Sequence, residues 1–248
     1  MGGVSPDPLA PLVALPGVEE AVRRARDAVV ALHNHPVNRT GWAASAAEAA
    51  LRAARASAAL DGAALAVGDG VVTDPVLAGA VRAAEATGRL LGTWRTAPLQ
   101  ALARLHVLAA ADLVAPESGV EPGRPVRGTE RLALLAGLVT GGTAAPAPVL
   151  VAVVHGELLA LEPFPSANGV VARAAARLAA ISSGLDPHGL AVPEVGHLRA
   201  AAAYREAARA FAAGTPDGLA TWIRHCCDQW VAGAREARSI ADARSRTP

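Results

Sequence analysis

Apolar residues recur along this chain at the spacing of a helix, with charged residues between them. From Val18 to about His33 this pattern predicts one helix, and Ala43 to Leu60 predicts a second. Gly62 is its expected stop, because glycine readily takes the left-handed backbone of a helix C-terminus. Further helices are expected over 75–89, 98–114, 129–139, 149–161, 168–183, 193–213 and 216–238. Residues 1–17 carry four prolines and read as an extended arm. Gly68-Asp69-Gly70 reads as a turn, 115–128 and 141–148 as loops, and 239–248 as a frayed tail. No internal repeat and no domain boundary stands out. Residues 18–238 are therefore expected to form a single all-α domain.

Composition supports helix over sheet. Of the 248 residues, 52% are hydrophobic and only 3% aromatic, so the core is expected to be built from Ala, Leu and Val. All 23 basic residues are arginine, and the net charge of +1 gives no electrostatic footprint for nucleic acid. The two cysteines, Cys226 and Cys227, are adjacent and cannot staple a fold, which suggests a reducing compartment. No basic residue precedes Arg23, so no signal peptide is read at the N-terminus. Pro6 stands where N-myristoylation wants Ser or Thr. The most apolar run, 144–161, is interrupted by two prolines, His155 and Glu157, and is too broken to span a membrane. A soluble cytoplasmic protein is expected, with no membrane partner.

The candidate chemistry lies between two expected helices. Asn168-Gly169 stands just before the helical run Val170–Ser183. Free N–H groups at a helix N-terminus bind anions, and glycine lets a ligand approach the backbone. The same pair is equally a plain helix cap. His155 stands seven residues before Glu162, which puts both on one helix face. Its expected role is packing.

The stretch Glu162-Pro163-Phe164-Pro165-Ser166-Ala167-Asn168-Gly169-Val170-Val171-Ala172-Arg173 resembles the signature loop of the Fic family of AMP-transferases, HPFx[D/E]GNGRxxR. Pro163, Phe164, Asn168, Gly169 and Arg173 match the pattern. Glu162 stands at the base histidine, Ser166 at the magnesium carboxylate, Ala167 at the first glycine and Val170 at the first arginine. Leu105-His106 with Gly123-Arg124-Pro125 is similar to the family's upstream region, and Tyr204 lies in a stretch similar to its C-terminal part. Ser57-Ala58-Ala59-Leu60-Asp61-Gly62 resembles the family's inhibitory motif, [S/T]xxxE[G/N], with Asp for Glu. The resemblance implies a Fic-type helical bundle. It further implies that Asn168, Gly169, Arg173 and Ser166 face nucleotide phosphates, and that Ser57, Asp61 and Gly62 form an inhibitory element pairing with Arg173. The alternative reading of Asp61-Gly62 is a helix terminus alone.

The substitutions weigh against transfer chemistry. A carboxylate at 162 has a reference pKa of about 4.3, roughly two units below histidine, and makes a weaker base. Ser166 offers magnesium a neutral hydroxyl where a carboxylate is preferred. Val170 removes a cation that would balance phosphate charge. Residues 124–130 leave only about seven positions for the family's target-holding β-hairpin flap, which is expected to be reduced or absent. The expectation is a catalytically degenerate protein with a binding or regulatory role. Its potential ligand is ATP without a well-formed magnesium site, and its potential partner another protein. The alternatives are an active nucleotidyl transferase with Glu162 as base, or a purely structural helical interaction module. Alanine-rich helix faces are compatible with a homodimer, although no heptad pattern fixes one.

Other clusters carry less. His33-Asn34-His35 has a metal-like spacing but no neighbouring ligands. In His225-Cys226-Cys227-Asp228 only His225 and Asp228 share a helix face. Gly141-Gly142-Thr143 lacks the lysine of a P-loop. Arg235, Arg238, Arg244 and Arg246 are interspersed with Glu236 and Asp242, which reads as a solvated end.

Overall fold

A computed structural model describes residues 6–64, 72–119 and 121–245, and within them the chain is helical with no strand. The helices are α1 (Ala10–Val13), α2 (Val18–His33), α3 (Pro36–Leu60), α4 (Pro75–Thr96), α5 (Pro98–Ala110), α6 (Thr129–Gly137), α7 (Ala147–Leu161), α8 (Asn168–Ser182), α9 (Pro193–Arg199), α10 (Ala201–Ala212) and α11 (Pro216–Arg244). A 3-10 turn, Pro116–Ser118, and a π-turn, Leu138–Gly142, lie in the connections. The segment 124–128, where a flap would stand, contains no strand. Among the described residues no helix is long and apolar enough to cross a membrane. The expected turn at Gly68-Asp69-Gly70 lies outside the described residues.

The α7–α8 pair forms the centre. Nine residues of α7, from Pro148 to Leu158, are buried, including Val149 and Val151 on opposite faces. A helix apolar all round belongs inside a domain. The α8 helix buries Val170 to Arg173 and Ala175 to Ala180. It packs on α7, α3, α4 and α5, while the other flanks of α7 meet α2, α10 and α11. Alanine at the contacts, such as Ala53, Ala80, Ala83, Ala172 and Ala175, keeps these layers close.

Several boundaries differ from the sequence reading. The arm expected over 1–17 carries helix α1 and buries Leu9. Asp7 ties it down: its carboxylate accepts from Leu9 N (2.9 Å), Thr143 Oγ1 (2.7 Å) and Ala144 N (2.6 Å). The Thr143 bond, with these backbone bonds behind it, holds the Asp7 carboxyl below its ordinary range. The tail expected to fray from 239 instead continues α11 to Arg244 and buries Ile240 and Ala241. The helix expected from Ala43 begins at Pro36 and bends at Gly41 (φ −123°, ψ 30°). The helix expected over 193–213 breaks at Ala200 (φ −111°, ψ 37°) into α9 and α10.

Candidate functional site

The loop between α7 and α8 is built to hold one shape. Glu162 leaves α7 with a left-handed backbone (φ 42°, ψ 59°). Phe164 is 2% exposed and stacks on His106, with ring centroids 4.3 Å apart and planes 6° from parallel. His106 Nδ1 accepts from Gly123 N (2.7 Å), so the upstream Leu105-His106 and Gly123 segments brace the loop from below. Val126 N donates to Pro163 O at 2.8 Å and pins the shortened segment to it. Asn168 closes the ring. Its Oδ1 accepts from Phe164 N (2.9 Å) and its Nδ2 donates to Phe164 O (2.7 Å). The Asn168 side chain expected on phosphate is thus engaged in shaping the loop.

Ala167 takes a left-handed conformation (φ 54°, ψ 18°). The signature's glycine is gone, yet the backbone that suits glycine remains. A left-handed alanine costs roughly 1–2 kcal/mol. Ala167→Gly is therefore expected to raise the urea unfolding midpoint or leave it level, because relieved strain of about 1 kcal/mol offsets the greater freedom of the unfolded glycine. At an unstrained site the same change would lower it.

The segment from Ser57 to Gly62 reaches this loop. At the end of α3, Gly62 adopts φ +88°, Gly62 N donates to Ala59 O (3.1 Å) and Ala63 N to Ala58 O (3.0 Å). This pair of bonds ends the helix at Asp61 and fixes where its carboxylate points. The carboxylate lies against Gly169 in the first turn of α8, so closely that a Cβ there would collide with it. A helix N-terminus favours an anion, and Asp61 is the anion in place.

Arg173 completes the clamp. Its guanidinium pairs with Asp61 Oδ1 (2.8 Å), donates through Nε to Ser57 Oγ (2.7 Å) and through NH2 to Ser57 O (2.9 Å), and reaches Tyr204 Oη from NH1 (3.2 Å). Arg173 is 3% exposed and the Asp61 side chain 27%. Two cavities of about 20 Å³ each flank it, one against His155 and Glu194, the other against Ser57 and Val170. Each has room for about one water.

Ser166, Val170 and Glu162 complete the loop. The Ser166 hydroxyl is buried and has no hydrogen-bond partner among the described residues. Val170 is 3% exposed and fills the contact of α8 with α3 and α4. The Glu162 side chain is exposed and forms no ion pair among the described residues. No group of three His, Cys, Asp or Glu able to hold a metal occurs among the described residues. At position 166 the loop offers magnesium no carboxylate.

Behind the clamp lies a polar cluster that local sequence patterns did not reveal. His155 Nε2 meets Tyr204 Oη (2.9 Å), and His197 Nδ1 meets His225 Nε2 (3.2 Å). His155 packs edge-on to His197 and Trp222, with centroids at 5.3 and 5.1 Å. Burial, then the charge of Arg173, pushes the His155 pKa well below its usual value. Burial, then neighbouring His155, does the same to His197. Unfolded histidines titrate near about 6.5, so on acidification the unfolded chain takes up these protons first. Stability is thus expected to be full above that value and to fall progressively below it. Urea midpoints at pH 7.5 and 5.5 test the sign.

No family model and no curated protein matches the sequence. Solved structures do. A Fic family protein from Desulfovibrio desulfuricans G20 superposes with a TM-score of 0.68 at 19% identity, over 90% of this chain and 74% of that one. Fic-1 from C. elegans, residues 134–508, superposes with a TM-score of 0.70 at 16% identity, over 92% and 73%. The chain therefore has a Fic-type, all-α fold.

Proposed function

We propose that this chain is a catalytically degenerate Fic-fold protein that acts by binding or regulating a partner rather than by transferring AMP. The observation that carries this reading is the state of Arg173. Every arm of its guanidinium is engaged by Ser57, Asp61 and Tyr204, while the Asp61 carboxylate sits where a phosphate would meet Gly169. Around it stand a carboxylate where a transferase of this kind needs a base, a buried hydroxyl where it needs a metal ligand, and an apolar side chain where it needs a cation. A phosphate cradle survives in outline behind the clamp. The exposure of Glu162 favours the transferase alternative only by leaving that position open to a substrate.

The test is incubation of the purified chain, alone and with a cell lysate, with ATP labelled on its α-phosphate. The expected result is no protein labelling above that of a heat-denatured control. Labelling that Glu162→Ala abolishes would establish the transferase instead.

A further inference from the structure

We propose that the clamp over the phosphate loop is acid-sensitive: the buried histidine cluster behind Arg173 holds Asp61 and Arg173 closed only while it is uncharged. This rests on the reading of Asp61 as the closing anion.

The hydrogen bonds leave little choice of proton placement. Tyr204 Oη receives the Arg173 NH1 proton and lies 2.9 Å from His155 Nε2. Tyr204 has one proton to give, and burial raises its pKa to about 12, so it stays protonated. Its hydrogen-bond partners among the described residues are Arg173, a donor, and His155, so the tautomer that satisfies its O–H leaves His155 Nε2 bare. A proton on that nitrogen would turn it into a second donor at the same oxygen and leave the tyrosine proton without an acceptor. In the His197–His225 pair one nitrogen carries a proton and the other accepts it. That pair tolerates one extra proton on His225, but two would set donor against donor.

Few charges offset such protons. Arg173 and Arg177 on α8 are both positive, and Arg177 is already paired with Glu194 of α9 at 3.2 Å. Cys226 on α11 faces the cluster as a neutral thiol, its pKa raised by burial. Asp61 on α3 is engaged with Arg173. Asp228, three residues on along α11, favours a charged His225 but is shared with Arg24 of α2 at 3.0 Å. The half-buried His225 is the entry point. Protonation inside this closed site adds charge beside a guanidinium that cannot lose its own. Any state that loosens Arg173 from Tyr204 and admits water or an anion binds protons more readily, and acid must favour it. Below about pH 6.5, where an opened histidine takes up its proton, such an opening grows about tenfold per pH unit, and from pH 7.5 to 5.5 the total growth is about tenfold.

The experiment is amide hydrogen exchange on the full chain at pH 7.5 and 5.5, with rates corrected for intrinsic exchange. The readout is residues 54–62 against α5 as internal reference, for wild type, His155→Gln and His225→Gln. Glutamine retains hydrogen bonding but takes no proton. In wild type, protection of 54–62 should fall about tenfold over this interval while α5 changes much less, and at least one glutamine variant should flatten the fall. Equal protection at both pH values, an equal loss in both segments, or an unchanged fall in every folded variant overturns the proposal. Inorganic tripolyphosphate titrated into Asp61→Gly separates the two readings. Binding there beside pH-insensitive wild-type protection removes acid sensing alone. Absence of binding removes the cradle, and this proposal with it.

Discussion

Arg173→Met is expected to lower the unfolding free energy by about 3 kcal/mol, near the lower end for breaking a buried ion pair. The side chain is almost fully buried and makes four polar contacts, with Asp61, Ser57 Oγ, Ser57 O and Tyr204 Oη. Methionine fills much of the volume but leaves the Ser57 hydroxyl without its donor. Asp61 can turn to water, since 27% of its side chain is already exposed, and this keeps the loss from being larger. Arg173→Lys should recover only part of it. An ammonium is a point charge and cannot span Ser57 and Tyr204 as the planar fork does. Urea midpoints with an unchanged slope would measure both effects. A loss for Arg173→Met within 0.5 kcal/mol of zero, as for typical surface substitutions, would mean that the clamp contributes nothing to the fold.

Trp222→Ala carries the other large effect, about 3–5 kcal/mol. The indole is fully buried, donates from Nε1 to Ala152 O at 2.8 Å and contacts Phe211, His155 and Tyr204. Gly156 makes the space: a Cβ there would stand 2.7 Å from the indole nitrogen and 2.8 Å from the Phe211 ring. With aromatics at only 3% of the chain, few other side chains could collapse into the void. Trp222→Phe removes the N–H and less volume, and should cost roughly 1–2 kcal/mol. Thermal and urea unfolding of the pair give the comparison, and similar midpoints would show that the site relaxes freely.

Much of the helical layout follows from local spacing. The α2 helix has the bounds expected of it, and Gly62 has the left-handed backbone that its position at a helix end suggested. The signature loop could be located because Pro163, Phe164, Asn168, Gly169 and Arg173 keep their spacing. Their division of labour could not be read from it. Nothing in the order of residues says that Asn168 spends its amide on Phe164, or that the Ser166 hydroxyl turns inward.

The break at Ala200 was hidden for a simple reason. Four consecutive alanines, Ala200 to Ala203, carry the highest helix propensity and give no punctuation. The bend is set instead by packing, with α9 lying on α3 and α11 and α10 on α7 and α11. The same bend brings His197 and Tyr204 together, rings 4.6 Å apart, and α11 adds His225 and Trp222. Helical periodicity registers neighbours three or four residues apart, so a cluster drawn from α7, α9, α10 and α11 leaves no trace in it. The one available sign was that the chain has a single tyrosine and places it on an otherwise Ala- and Arg-rich helix.

If a phosphate cradle survives behind the Asp61–Arg173 clamp without the groups for catalysis, opening the clamp should admit a nucleotide without its metal. Calorimetric titration of wild type and Asp61→Gly with ATP, each with and without Mg²⁺, tests it most directly. Wild type should give no heat of binding, and Asp61→Gly should bind ATP indifferently to Mg²⁺. Mg²⁺-dependent binding of ATP by the wild-type chain would contradict that reading.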